Sequence, residues 1–138
     1  MSPRARRPRA AAAVGALLAT VAVHAAQPAD AHKKRRAPPD VPALVVGALT
    51  YEAPLAGGPF GLAQVGGVVV ARRTDSGDLV WARSIYTTPV DPQMETDKQD
   101  VFIASLTLAA DGRHLAIVDE RGRRFEIGLD GSGARTVP

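Results

Sequence analysis

Short runs of apolar, often β-branched residues separated by glycine and aspartate dominate the chain from Ala43 onward. No stretch there repeats apolar residues at the period of a helix, whereas several runs alternate apolar and polar positions as half-buried strands do. The pattern predicts an all-β domain, an antiparallel meander of about six strands forming a curved sheet or small open barrel. The predicted strands are Ala43 to Glu52, Gly67 to Thr74, Asp78 to Tyr86, Phe102 to Ala110, Arg113 to Asp119 and Arg123 to Leu129.

The turn residues fix the pairing of these strands. Asp111-Gly112 is a favoured two-residue hairpin turn, and Glu120 to Gly122 forms a three-residue loop with Gly122 left-handed. The predicted pairs are Leu108 with Leu115, Leu106 with Ile117, Ile117 with Phe125, Leu115 with Ile127 and Asp119 with Arg123. A two-residue turn at Arg121-Gly122 would instead move a row of apolar side chains to the wrong face.

The earlier hairpin follows the same design, with Asp75-Ser76-Gly77 as a three-residue loop. This loop predicts Trp81 opposite Ala71 and Val69 opposite Arg83. Leu79, Trp81 and Ile85 are expected on the core face of this hairpin.

The chain before Ala43 has the pattern of an export signal. Four arginines precede an apolar stretch, Ala10 to Val23, whose fourteen residues suit a signal sequence and fall short of the ~20 that span a bilayer. Small residues at Ala29-Asp30-Ala31 predict cleavage after Ala31, with Ala25 as the alternative. We therefore expect a signal peptide over residues 1–31, a flexible basic and proline-rich tail over residues 32–42, a single β-rich domain over residues 43–138, and a secreted or periplasmic location.

Charge and composition limit the classes of partner that the chain can bind. Acidic side chains outnumber basic ones 13 to 9 from Asp40 onward, which is the wrong sign for a nucleic-acid-binding surface. The basic run Lys33, Lys34, Arg35, Arg36 is expected to be a solvated terminus, with weak attraction to anionic envelope surfaces as the alternative. The chain has no cysteine, so the exported domain has to be stabilised by its core or by association.

The segment from Ala71 to Trp81 resembles the repeat of quinoprotein-like β-propellers, in which a tryptophan follows a threonine-glycine pair by four residues. Gly77 and Trp81 keep that spacing, while Ser76 replaces threonine and Arg73 replaces the usual aspartate. Two such hairpins are too few to close a propeller, which needs at least four blades of ~40 residues. The resemblance implies β-hairpins with Trp81 as a packing residue and does not imply a cofactor. The stretch from Ile85 to Ile103 is similar to small bacterial envelope proteins with a hairpin-linker-hairpin plan, from which no activity follows.

The acidic linker between the two predicted hairpins, Thr87 to Asp100, is the best candidate for chemistry, because long loops often carry function. Asp91, Glu95, Asp97 and Asp100 are its candidate metal ligands. Carboxylates suit Ca²⁺ or Mg²⁺, but this spacing has no established calcium-loop pattern. A solvated acidic loop, or one that docks on the basic tail or a partner, is the favoured reading.

No residue pattern identifies a catalytic residue or a cofactor. The chain outside the leader has only His32 and His114 as histidines and lacks a nucleophile elbow. We therefore expect a binding or scaffold module of the cell envelope that self-associates or binds a protein through an exposed sheet edge, with Ala43 to Glu52 as a plausible edge. The alternative is a small metal-dependent or hydrolytic enzyme built on the acidic linker.

Overall fold

A computed structural model of the protein describes residues 36–138. The expected leader, its cleavage positions and Lys33, Lys34 and Arg35 lie outside these residues. The strands are β1 (Leu44–Val46), β2 (Leu49–Glu52), β3 (Val68–Arg73), β4 (Leu79–Ser84), β5 (Ile103–Leu108), β6 (His114–Asp119), β7 (Arg124–Gly128) and β8 (Arg135–Val137). Two single-turn 3-10 helices, Gly58–Phe60 and Thr96–Lys98, lie in the loops. No helix in the described part of the chain is long and apolar enough to span a bilayer.

The strands form two four-stranded antiparallel sheets, each a simple meander. Sheet A has the order β1-β2-β3-β4 and sheet B has the order β5-β6-β7-β8. The all-β antiparallel prediction is confirmed, and residues 36–138 form neither a closed barrel nor a propeller. Residues 36–138 form eight strands where about six were expected, and these strands make two packed sheets where a single curved sheet or small open barrel was expected.

The two additional strands were hidden in the sequence for different reasons. The predicted strand Ala43 to Glu52 is a hairpin, in which β1 and β2 pair across a two-residue loop that begins with Gly47. Gly47 has a φ of 60°, which suits a type II′ turn, but the residues around it are apolar and alternation gave no sign of a reversal. The strand β8 contains only one apolar residue, Val137, and follows a glycine-rich stretch.

The predicted register of sheet B is confirmed throughout. The observed pairs include Leu106 with Ile117, Leu108 with Leu115, Ile117 with Phe125 and Leu115 with Ile127. The loop after Asp119 has the predicted length, Gly122 is left-handed at a φ of 76°, and Arg123 Nε donates to Asp119 Oδ2 at 2.6 Å.

The turn at Asp111-Gly112 differs from the prediction although the register is right. Gly112 is left-handed, but Asp111 is not, so the two-residue turn with both positions at positive φ does not form. Instead Ala109 N–H donates to His114 O, and Asp111 Oδ1 accepts the backbone N–H groups of Arg113 and His114. Leu108, at the end of the ladder, remains 41% exposed.

The hairpin of β3 and β4 contains a bulge that corrects one predicted core position. Trp81 lies opposite Ala71 as expected, but the next pair is Arg72 with Leu79, so Val80 is an extra residue without a partner. The extra residue breaks the alternation of β4. Trp81 and Ile85 are buried, whereas Leu79 is 46% exposed and does not belong to the core.

The core lies between the two sheets. It is formed by Tyr51, Val69, Ala71, Trp81, Ile85, Tyr86, Val101, Ile103, Leu106, Leu115, Ile117, Phe125 and Ile127. The described part of the tail, residues 36–42, has no regular secondary structure, but its Val41 packs against this core. The two sheets therefore share one apolar interior.

A polar contact inside the core joins sheet A to the loop between β7 and β8. The carbonyl of Leu129 accepts hydrogen bonds from Trp81 Nε1 at 3.2 Å and from Tyr51 Oη at 3.0 Å. The indole of Trp81 lies so close to Gly131 that a Cβ at that residue would be 2.8 Å from Trp81 Cδ2. We call this arrangement the tryptophan clamp. It gives two buried donors an acceptor and connects sheet A to a loop of sheet B.

Replacing Gly131 with alanine tests the clamp, and Gly133 provides a matched control in the same loop. Both glycines are left-handed, with φ of 80° and 67°, but no atom lies within 4 Å of where a Gly133 Cβ would be. Gly133→Ala should therefore lose about 1–2 kcal/mol of unfolding free energy for its backbone alone. Gly131→Ala should lose about 1–3 kcal/mol more because its methyl group collides with Trp81. Urea unfolding measures both, and equal losses would contradict the clamp.

Candidate interaction surface

The acidic linker is a surface loop in which two of the four predicted carboxylates have local partners. Glu95 pairs with Lys98 Nζ at 2.5 Å, and Asp91 Oδ1 accepts the backbone N–H of Gln93 at 2.9 Å. Asp97 lies in the 3-10 helix Thr96–Lys98, and Asp100 lies just before the buried start of β5. Within residues 36–138 no three His, Cys, Asp or Glu side chains come close enough together to hold a metal ion.

The residue that organises this loop is Gln99, which sequence reasoning missed. Its side chain is buried, with Nε2 donating to the carbonyls of Asp91, Met94 and Glu95 and Oε1 accepting the N–H of Asp91. An amide is suited to this position because it donates and accepts at once. A single polar residue before an aspartate in an acidic stretch gave no signal of that role.

The neighbouring turns at one end of sheet B hold a second polar cluster. His114 Nδ1 lies 2.5 Å from Asp111 Oδ2, and Ser132 Oγ donates to Asp130 Oδ1 at 2.6 Å. The pKa of Asp111 is lowered to about 2, chiefly because its carboxylate accepts the N–H of Arg113 and also contacts His114. The pKa of Asp130 is lowered by its bonds to the hydroxyl and N–H of Ser132. These carboxylates are used to stabilise turns, which is a structural role.

A cavity with both apolar and charged walls lies on the face of sheet B that points away from sheet A. Its volume is ≈ 440 Å³. Ala116 and Val118 of β6 form its floor, and Arg124, Glu126 and Val137 line it from β7 and β8. We call this cavity the outer groove. Glu126 is paired with Arg135 at 2.7 Å, whereas Arg124 is exposed and forms no ion pair within residues 36–138.

Four sheet edges exist in the described structure, and three of them are protected. The edges of β1 and β5 lie against each other, since these two strands are in contact. The edge of β4 is interrupted by the bulge at Val80, and Arg83 Nη1 bonds the carbonyl of Ala82. The remaining edge is β8, which borders the outer groove through Val137 and exposes Arg135 and Thr136. The predicted edge strand Ala43 to Glu52 is an edge only in its first half, because β2 lies inside sheet A.

The sequence placed part of this surface correctly and missed the rest. The predicted pairs put Leu115, Ile117 and Phe125 on the core face, so the alternate positions Ala116, Arg124 and Glu126 belong to the opposite face, as observed. The wall formed by Val137 depends on β8, which the sequence did not reveal. Trp81, the residue on which the propeller resemblance depended, is a packing residue of the clamp.

Comparison with known proteins adds no relative to this picture. No protein-family model matches the chain, and no curated protein matches it. The function is therefore argued from the contacts, burial and charge of the described residues.

Replacing Gln99 with alanine should open the acidic loop without unfolding the domain. Losing these hydrogen bonds should lower the free energy of local loop opening by about 1–2 kcal/mol. Tryptic cleavage after Lys98 should therefore become about tenfold faster. Timed digestion followed by mass spectrometry measures this, and Gln93→Ala is the control because that side chain is exposed. Equal cleavage rates in the two variants would contradict the organising role of Gln99.

The carboxyl of Asp111 should titrate near pH 2 in the folded protein, which NMR titration of the side-chain carboxyl measures. Its pKa is lower than the ordinary 3.8, so the stability it contributes is complete above about pH 4 and is lost as pH falls toward 2. The variant His114→Gln should raise the midpoint only in part, since the larger contribution comes from the N–H of Arg113. A midpoint at or above 3.8 in the unaltered protein would refute this assignment.

Proposed function

We propose that this protein is a binding module of the cell envelope that docks a protein partner in the outer groove and along the adjoining edge of β8. The export signal expected over residues 1–31 supports the envelope location, although it lies outside the described structure. The module acts by recognition, and it has no catalytic residue assigned to it.

The observation that carries this proposal is the chemistry of the outer groove. Ala116, Val118 and Val137 present apolar surface that sheet A does not cover, and Arg124 stands beside it without an ion pair in the described structure. A partner that fits there supplies an apolar side chain for the groove and a carboxylate for Arg124. Backbone groups of the short strand β8 are available to pair with an extended segment of that partner.

Photo-crosslinking from inside the groove tests the proposal. A benzophenone amino acid at Val118 should give an adduct of higher mass in cells that produce the protein, whereas the same probe at Val90 should not. Val90 is a fair control because it is 55% exposed but lies in the acidic loop. Adding Ala116→Arg, which fills the groove, should abolish the Val118 adduct. Equal adducts from both positions, or an adduct that survives Ala116→Arg, would refute docking in the groove.

A further inference from the structure

A ridge on sheet A presents exposed aliphatic side chains beside a carboxylate, the two features that a partner of the outer groove has to supply. We call Asp78, Leu79 and Val80 the β4 ridge; Asp78 directly precedes the edge strand β4, and Leu79 and Val80 begin it at its bulge. Leu79 is 46% exposed and Val80 is 50% exposed, so two neighbouring aliphatic side chains are each about half accessible. Asp78 is exposed beside them, and its carboxylate accepts only a hydrogen bond from Ser76 Oγ at 2.8 Å among the contacts of the described chain.

The groove and the ridge match in both apolar surface and charge. The groove has apolar walls next to the guanidinium of Arg124, which forms no ion pair within residues 36–138, and the ridge has apolar side chains next to an exposed carboxylate. A carboxylate with a guanidinium is a strong charge-assisted pair, and a groove of ≈ 440 Å³ is within the range of ordinary ligand pockets. Each surface thus offers exposed apolar area and a charge opposite to that of the other surface.

The two surfaces of one molecule cannot meet each other. The groove lies on the face of sheet B that points away from sheet A, and the ridge belongs to sheet A. Contact between them therefore requires two molecules. Because the ridge and the groove are different surfaces, the contact is head-to-tail. A pair of molecules joined in this way still has one free ridge and one free groove.

We propose that the partner in the outer groove is a second copy of this chain, whose β4 ridge inserts there and whose Asp78 pairs with Arg124. This inference rests on the proposed function, since it names the occupant of the same groove. It predicts concentration-dependent self-association that extends into a ring or an open chain.

Charge reversal tests the contact, with association constants measured by sedimentation and light scattering over a concentration series of the full chain. Arg124→Glu and Asp78→Lys should each weaken self-association by about tenfold or more, because each places like charges together. The double variant should regain most of the loss, since it restores an opposite pair. Arg121→Glu is the matched control: it makes the same charge change at an exposed arginine in the loop between β6 and β7, outside the groove.

Three results would overturn the inference: a monomer at every soluble concentration, equal effects of Arg124→Glu and Arg121→Glu, or a double variant as weak as the single ones. The Val118 crosslink separates this failure from failure of the proposed function. A monomeric protein whose groove-dependent adduct contains a different protein keeps the groove as a docking site and rejects the second copy. A monomer with no such adduct rejects both.

Discussion

The structure depends on one backbone carbonyl, that of Leu129, and on the glycine two residues after it. Trp81 and Tyr51 both donate to this oxygen, and the indole covers Gly131 so closely that no larger residue fits. A meander of four strands has one apolar face, which it can bury only against a second layer. The clamp provides the directional hydrogen bonds between the two sheets, while the aliphatic side chains around it provide most of the buried apolar area.

The consequences of the clamp extend to the surface. Because sheet A packs on one face of sheet B, the other face of sheet B is left with small and half-buried residues, and the outer groove forms there. The bulge next to Trp81 moves Leu79 into the pair with Arg72, and Leu79 is exposed there next to Val80. The exposed ridge therefore lies directly beside the buried aromatic residue of the clamp.

Sequence reasoning succeeded where two independent constraints agreed. In sheet B, the alternation of Leu115 and Ile117 and the left-handed Gly122 demanded the same register, and that register is observed. It failed where only one constraint was present. Gly47 reverses the chain inside a continuous apolar run, and β8 contributes a single apolar residue, so neither strand boundary had a periodic signal.

The candidate site was harder to predict for a physical reason. The acidic linker was conspicuous by charge, but Asp91 accepts a backbone N–H within the loop, Glu95 pairs with Lys98, and the buried Gln99 defines the shape of the loop. No single residue of the groove has a sequence signal of its own, and the groove exists only because three strands bring its residues together. Such a site depends on the packing of strands, so neither composition nor a sequence motif predicts it.

The clamp also determines the order in which structure can accumulate. Every hairpin in either sheet joins strands that are neighbours in sequence, and such local pairings close short loops cheaply. The contacts to Leu129, by contrast, connect positions 48 and 78 residues apart. Each meander is therefore able to form as a local unit, and the union of the two sheets, which closes the longest loops, is the step expected to limit the rate of folding.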